Sequence, residues 1–298
     1  MSRVRRAGVN GGDGLDSALG LGTSSRPWIR ALNYAVWAII IVVFAGPLVA
    51  VVAGAFSGSR DPSQLSIIPA DPSLASFSAA FDRGVLRYLA NSLIVVGFGL
   101  VFQMIVSVFA AHALARKRFR GSAIAMLLVL STMMLPEEIL AIPLSQVLAD
   151  VPFLGFNLIN TLPGMIVPIV AWGFSILVMT EFMKEVPAEL EEAAKIDGAG
   201  EIRTFLFVVL PTCTPALGVI GVFGFNMIWD QYLLPLLVAS DSSMFTLPLA
   251  LRTLRADPEV GLGVVLVAAT LALLPAVIAF LCFQRSFMRG LSSGAVKG

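Results

Sequence analysis

Residues 187–211 read PAELEEAAKIDGAGEIRTFLFVVLP, a charged stretch, a glycine and an apolar stretch set between much longer uncharged runs. Pro187 suits the first turn of a helix, where its missing N–H costs nothing, and Glu189, Glu191 and Glu192 follow where the helix dipole favours negative charge. Gly198 supplies a backbone conformation that residues with a Cβ adopt reluctantly, so the first helix is expected to end at or near Asp197. Phe205, Phe207, Val208, Val209 and Leu210 predict a second, apolar helix lying against its neighbours, with Pro211 expected to stop it. Ala193 and Ala194 beside Glu192 on a protruding helix are what a groove in a partner protein requires: close backbone approach and one charge to pair. An amphipathic helix lying in a membrane surface satisfies the same composition.

The rest of the chain explains why such a segment is conspicuous. Of 298 residues, 57% are hydrophobic and 13% charged, far from the balance of a soluble domain. A bilayer core takes about 20 apolar residues per helix. Runs that meet this need lie at about 35–56, 89–115, 123–148, 161–182, 213–238 and 262–283, which predicts an all-α, polytopic membrane protein of six spans. The third run is interrupted by Pro136, Glu137 and Glu138; the fourth reads as continuous and carries Trp172; the fifth contains Asn226 and Asp230. The segments are expected to be a flexible tail at 1–30, a first span and external loop at 31–86, a transmembrane core at 87–286 and a tail at 287–298.

Lys and Arg sort by side, which fixes orientation because loops rich in them resist translocation. Fifteen of the twenty fall in the amino terminus, the loop at 116–120, the segment at 184–203 and the carboxyl terminus. Arg60, Arg83, Arg87, Arg252 and Arg255 are left for the opposite side. Both termini and the 187–211 segment are therefore expected to face the cytoplasm. The net charge of +1 says little once its signs are sorted in this way, and the basic run at 116–120 reads as a topology determinant, not a nucleic-acid patch. Cys213 and Cys282 are expected to be packing residues in a reducing compartment, without a disulfide.

Covalent chemistry has no obvious home. No G-x-x-x-x-G-K-[ST] phosphate loop, H-E-x-x-H or G-x-S-x-G occurs, and His112 is the only histidine. No catalytic residue, metal site or cofactor is expected on this chain. Intramembrane polar groups are more telling, because they are costly unless they face water or a partner. Glu137 and Glu138 would lie about 21 Å along a third span helical from Ala123, at about 1.5 Å per residue. Asp230 and Asn226, one turn apart, share a face, with Trp229 and Tyr232 nearby. A sugar offers hydroxyls and apolar C–H faces, so Glu137, Glu138, Trp172, Asn226, Asp230 and Tyr232 are candidates to line its path. Interfacial groups that snorkel to headgroups or cap helix ends present the same pattern. Gln103 is a weaker candidate, and the external stretches 57–88 and 239–261 are candidate contacts for a delivery protein.

Glu192-Ala193-Ala194, Gly198, and Val208-x-Leu210-Pro211 together resemble the EAA loop by which ABC importer permeases engage their ATPases. Asn91-Ser92, the string EEAAKIDGA, and the terminal Gly290-Leu291-x-x-Gly294-Ala295-Val296-Lys297-Gly298 are similar to the carbohydrate-type members, specifically the second, maltose-transporter-like permease. Val208 stands where isoleucine is usual. The resemblance covers about residues 85–298. It implies a subunit of the bacterial inner membrane that pairs with a second permease, sits on two ATPase subunits holding ATP and Mg, and receives solute from an extracytoplasmic binding protein. Glu191, Glu192, Ala193, Ala194, Asp197, Gly198, Leu210 and Pro211 would then couple ATP hydrolysis to transport. Two other classes fit the composition: an ion-coupled transporter using Glu137, Glu138 or Asp230 as proton carriers, and a membrane scaffold.

Overall fold

A computed structural model describes residues 27–57, 71–117 and 119–295, with side chains from 28 to 284 within those segments. The expected tail over 1–26, Arg60 and Arg118, and the side chains of the terminal basic residues lie outside the described residues. Among the described residues every regular element is helical, apart from an isolated bridge between Ser57 and Pro72. Three helices are long and apolar enough to cross a bilayer unbroken: α1 (Pro27–Ala55), α3 (Val85–Arg116) and the first part of α13 (Leu262–Ala295). The short α2 (Ala75–Asp82) precedes α3. Helix α13 runs on through Ala295, so most of the stretch expected as a tail at 287–298 is helical.

The other three expected spans are broken. The third is α4 (Ser122–Thr132) and α5 (Glu137–Ala149), bent by 106°. Pro136 takes an extended conformation (ψ 133°) and biases the residue before it away from helix, so Glu137 and Glu138 open a new helix instead of lying 21 Å along an old one. The fourth, expected to be continuous, is α6 (Leu162–Ile169) and α7 (Gly173–Glu185), bent by 42°. Pro163 and Pro168 remove backbone donors, the last turn of α6 tightens to a 3-10 helix, and Trp172 sits extended at the start of α7.

The fifth ends earlier and begins elsewhere than expected. Helix α10 (Thr214–Trp229) stops with Asp230 as its cap, and α11 (Leu233–Val238) restarts after Gln231 and Tyr232. Pro235 disfavours a helix continuing through 231, because its ring crowds that carbonyl. Ahead of α10, at 67°, lies α9 (Glu201–Thr212), the apolar half of the segment at 187–211. Pro211 does not stop α9. Residues Phe205–Val209 form a π-helical turn in which the Leu210 N–H donates to Phe205 O, and this wider turn accommodates the proline one residue on. Helix α12 (Leu247–Ala256) precedes α13, and α8 (Ala188–Ile196) lies between α7 and α9.

Helix α3 packs along α7 and α10, α10 along α13, and α13 along α1 and α2. Close approach depends on small residues: a Cβ on Gly224 of α10 would run into Gln103 and Leu100 of α3, and one on Gly221 into the Phe283 ring. Gln103 is fully buried and donates to Ile169 O at 3.3 Å, so it belongs to this packing and does not line a path. Ser107 continues the buried polar line, donating to Ser175 Oγ at 2.7 Å. One buried cluster gathers around α3, α10 and α13, and a second joins Val108 and Ala111 of α3 to Met179 and Met183 of α7 and Phe205 and Val209 of α9. The outer side of α1, including Val42 and Phe44, is exposed, as a surface solvated by lipid chains would be.

Candidate functional site: a protruding helix and a cavity at the helix breaks

Helix α8 has no buried residue. It ends as its sequence dictates: Asp197 caps it, Gly198 follows at φ +79°, and the N–H groups of Gly198 and Ala199 donate to Lys195 O and Ala194 O at 3.0 and 2.9 Å. This is a Schellman closure, which satisfies the last carbonyls and needs a residue free to adopt a left-handed conformation. A Cβ at Gly198 would meet nothing within 4 Å, so its requirement is conformational, not spatial. Glu192, Ala193, Ile196, Asp197 and Gly198 are exposed and Ala194 is half-buried. Ile196, 86% exposed, is an apolar side chain that the described fold leaves uncovered.

Glu191 departs from this set. Its carboxylate turns inward to Arg116, the last residue of α3, with Nε and Oε1 3.1 Å apart at an angle unlike that of a hydrogen bond. The same guanidinium donates from Nη2 to Val186 O at 2.6 Å, so one side chain holds both the approach to α8 and its first turn. The next residue, Lys117, donates to Glu201 Oε2 at 2.8 Å, on the first turn of α9. Phe205 then anchors α9 beneath α3, its ring 4.4 Å from His112 and 5.9 Å from Phe109. Leu210 is half-buried and Pro211 exposed on the same helix. A groove of about 720 Å³ runs between α8 and the turn after α3, with Arg116, Arg120, Glu192 and Lys195 in its walls.

Sequence reading placed α8 and its end, and missed Arg116, Lys117 and Glu201. The basic run at 116–120 served there only as a topology marker. Opposite charges at 116/191 and 117/201 form no local pattern, and only the packing of α9 under α3 brings them together.

The candidate path residues separate into two groups. Glu137 and Trp172 line a cavity of about 160 Å³, together with Gln231, Leu140, Pro168 and Met227. Gln231 Nε2 lies 3.4 Å from Glu137 Oε2. Asn226 and Asp230 are exposed on one face of α10, as expected, but do not line this cavity, and neither does Glu138. Tyr232 is also outside it and lies under Arg252, whose guanidinium carbon is 4.0 Å from the ring centroid. Trp229 is buried and stacks on Phe225 at 5.5 Å. Gln231 was not singled out by sequence; it lies in the interruption between α10 and α11, four residues ahead of Pro235. Glu137, Glu138 and Asp230 all stand at helix ends, so the carboxylates that an ion-coupled carrier would use are not set within continuous helices.

At the other end of α3, Asn91 Nδ2 donates to Ser243 O and Phe245 O at 2.8 and 3.0 Å, and the Leu247 N–H donates to Ser92 Oγ at 2.7 Å. The 3-10 turn Ser242–Met244 is capped by Asp241, whose carboxyl is held below the usual carboxylate range by hydrogen bonds from Ser243. Arg83 reaches Asp257 at 3.6 Å, so the segments before α3 and before α13, both candidate external contacts, meet. Among the described residues no three His, Cys, Asp or Glu side chains gather as metal ligands, and Cys213 and Cys282 are free thiols.

Residues 103–293 match the family described as binding-protein-dependent transport system inner membrane component. The chain is 31% identical to an arabinooligosaccharides transport system permease protein of Halalkalibacterium halodurans, over 91% of this chain and 96% of that one. It is 32% identical to a diacetylchitobiose uptake system permease protein of Streptomyces coelicolor (90% and 99% covered) and 32% identical to a melibiose/raffinose/stachyose import permease protein of Bacillus subtilis (80% and 86%). In fold it resembles a chain of a bacterial ABC transporter involved in the import of alginate, with a TM-score of 0.74 at 19% identity, covering 96% of this chain and all of that one. With the family matched across most of α3 to α13, the chain belongs to the binding-protein-dependent transport system inner membrane components and is a multi-pass permease of an ABC importer.

Proposed function

We propose that this permease carries a sugar or sugar-like solute inward, as one of two permease subunits above a pair of ATPases that bind ATP and Mg, with an extracytoplasmic binding protein delivering the solute. In this reading the three long helices and three bent pairs are six spans, both termini and α8 face the cytoplasm, and α8 seats in a groove of an ATPase. The observation that carries it is α8 itself: a helix without buried residues, closed by a left-handed Gly198 and rooted to α3 and α7 through Arg116 and the cluster at Phe205. Such a knob can move only with the helices it is fastened to. Ala193 and Ala194 allow close seating, Glu192 and Asp197 offer charges to pair, and Leu210 and Pro211 lie on the second arm.

The solute class rests on the relatives, whose names refer to arabinooligosaccharides, diacetylchitobiose and the melibiose, raffinose and stachyose group. These sugars differ in ring size and substituents and share a chain of hydroxyl-bearing rings, which supports an oligosaccharide without singling one out. Trp172 as an apolar platform and Glu137 and Gln231 as hydrogen-bonding groups match that chemistry.

Two measurements test the reading. Ala193→Cys in the assembled importer should cross-link to an ATPase subunit, and Gly198→Trp should lower uptake and coupled ATP hydrolysis while the chain still inserts. A purified native assembly without any ATPase subunit, or normal uptake in Gly198→Trp, would remove its basis.

A further inference from the structure

Arg116 and Asn91 lie 25 positions apart on one unbroken helix, about 38 Å at roughly 1.5 Å per residue, enough to cross a hydrocarbon core of about 30 Å. Each end of this rod is fastened to a segment distant in sequence. At one end the adjacent cations Arg116 and Lys117 hold both arms of the protruding element, through Glu191 on α8 and Glu201 on α9. The two joints differ in quality. The Arg116 and Glu191 side chains are only 13% and 21% exposed, so their attraction is weakly screened, whereas Lys117 and Glu201 stand largely in solvent and contribute little. An arginine suits this joint, because its planar guanidinium donates to Val186 O while its charge stays against Glu191. At the other end, two hydrogen bonds from Asn91 and one from the Leu247 N–H to Ser92 Oγ grip the backbone of 243–247. Between the ends, α3 packs against α6, α7, α10 and α12.

We propose that Arg116 is a positioning residue that makes α3 the transmitting rod of the permease, passing displacement of α8 to the loop at 241–247 on the opposite face. This rests on the reading of α8 as the ATPase contact. It places the first step of transmission in a part-buried ion pair on a residue outside the EAA-like segment.

The test uses the assembled importer, with a reporter at the far end: Ser242→Cys, an exposed position, in a Cys282→Ser background, labelled by a membrane-impermeant maleimide. Trapping with ATP, Mg and vanadate should change the labelling rate of the parent about fivefold or more. Arg116→Glu should abolish that response while the ATPase subunits still co-purify, and the swap Arg116→Glu with Glu191→Arg, which restores the ion pair but leaves Val186 O without its donor, should recover part of it. Arg116→Gln is the second variant, used if the glutamate keeps the chain out of the membrane; it should lose the response too. A full response in Arg116→Glu or Arg116→Gln, no recovery in the swap, or a parent that never responds overturns the proposal. A parent assembly without ATPase subunits overturns the functional reading itself, so the two failures are distinguishable.

Discussion

Glu137 and Gln231, 94 positions apart, face each other at 3.4 Å across the cavity. Each stands just beyond a point where a helix stops. Trp172, the third distinctive group of that cavity, stands at another such point, so three helix breaks, at Pro136, Trp172 and Gln231, converge on one place. Irregular backbone inside a membrane protein is tolerated only where protein or water covers its polar groups. The convergence of helix breaks, more than any single side chain, is what marks this cavity.

A solute held there should feel the loss of each group. Gln231→Ala and Glu137→Gln each change one hydrogen-bonding option worth about 1 to 3 kcal/mol, so the KM for uptake should rise about 5- to 150-fold. Trp172→Ala should act in the same direction. Asn226→Ala and Asp230→Asn, outside the cavity, should leave KM unchanged. Initial uptake rates across a range of solute concentrations in proteoliposomes check the contrast, and equal effects at the two groups of positions would contradict it.

Gly198 invites a graded series. Its φ of +79° is adopted by asparagine at modest cost, by alanine at about 1 kcal/mol and by a β-branched residue at more, and the space around it is open. Gly198→Asn should therefore retain most coupled ATP hydrolysis, Gly198→Ala less and Gly198→Val least. A series that followed side-chain volume instead would mean that seating on a partner, and not the turn, governs this position.

How legible this was in sequence depends on the range of the interaction that decides each feature. The caps of α8 are set by residues within a few positions of each other, so Pro187, the early glutamates and Gly198 sufficed to place its ends. Spans α1 and α3 and the start of α13 are long, uncharged and free of clustered breakers, and were equally plain. Hydropathy averages over about twenty residues and is blind to direction, so it read the bent pair around Pro136 as one span and passed over the break at Trp172. The prolines that cause those breaks were visible, yet Pro47, Pro143 and Pro275 lie inside helices that continue. Only packing decides which proline bends the chain. Gln231 and the Arg116–Glu191 pair were out of reach for the same reason, since their partners come from elements distant in sequence.

Close packing between α3 and α10 yields a paired stability prediction. Gly224→Ala would drive a Cβ into Gln103 and Leu100 in a filled interface and should cost about 1 to 3 kcal/mol. Gly97→Ala, on the exposed side of α3 with nothing within 4 Å, should be neutral or stabilising by up to about 1 kcal/mol, since alanine favours the helix. Thermal denaturation of the purified assembly in detergent separates the two, and a Gly224→Ala protein as stable as Gly97→Ala would mean that α3 and α10 do not pack this closely.

Asn91 offers the sharpest chemical distinction, because its amide nitrogen donates to two carbonyls, Ser243 O and Phe245 O, from a position only 8% exposed. Asn91→Ala leaves both acceptors without this donor and should cost about 1 to 3 kcal/mol. Asn91→Asp keeps the shape but replaces the donor by a carboxylate oxygen facing two carbonyl oxygens, so it should be worse than alanine although it is nearly isosteric. The difference should show first as faster proteolysis within 240–247, where the chain loses its hold on α3, and then as a lower melting temperature. If aspartate were tolerated better than alanine, shape and not hydrogen bonding would hold this end of the helix. Helix α3 would then lack the fastening that the proposed transmission to 241–247 requires.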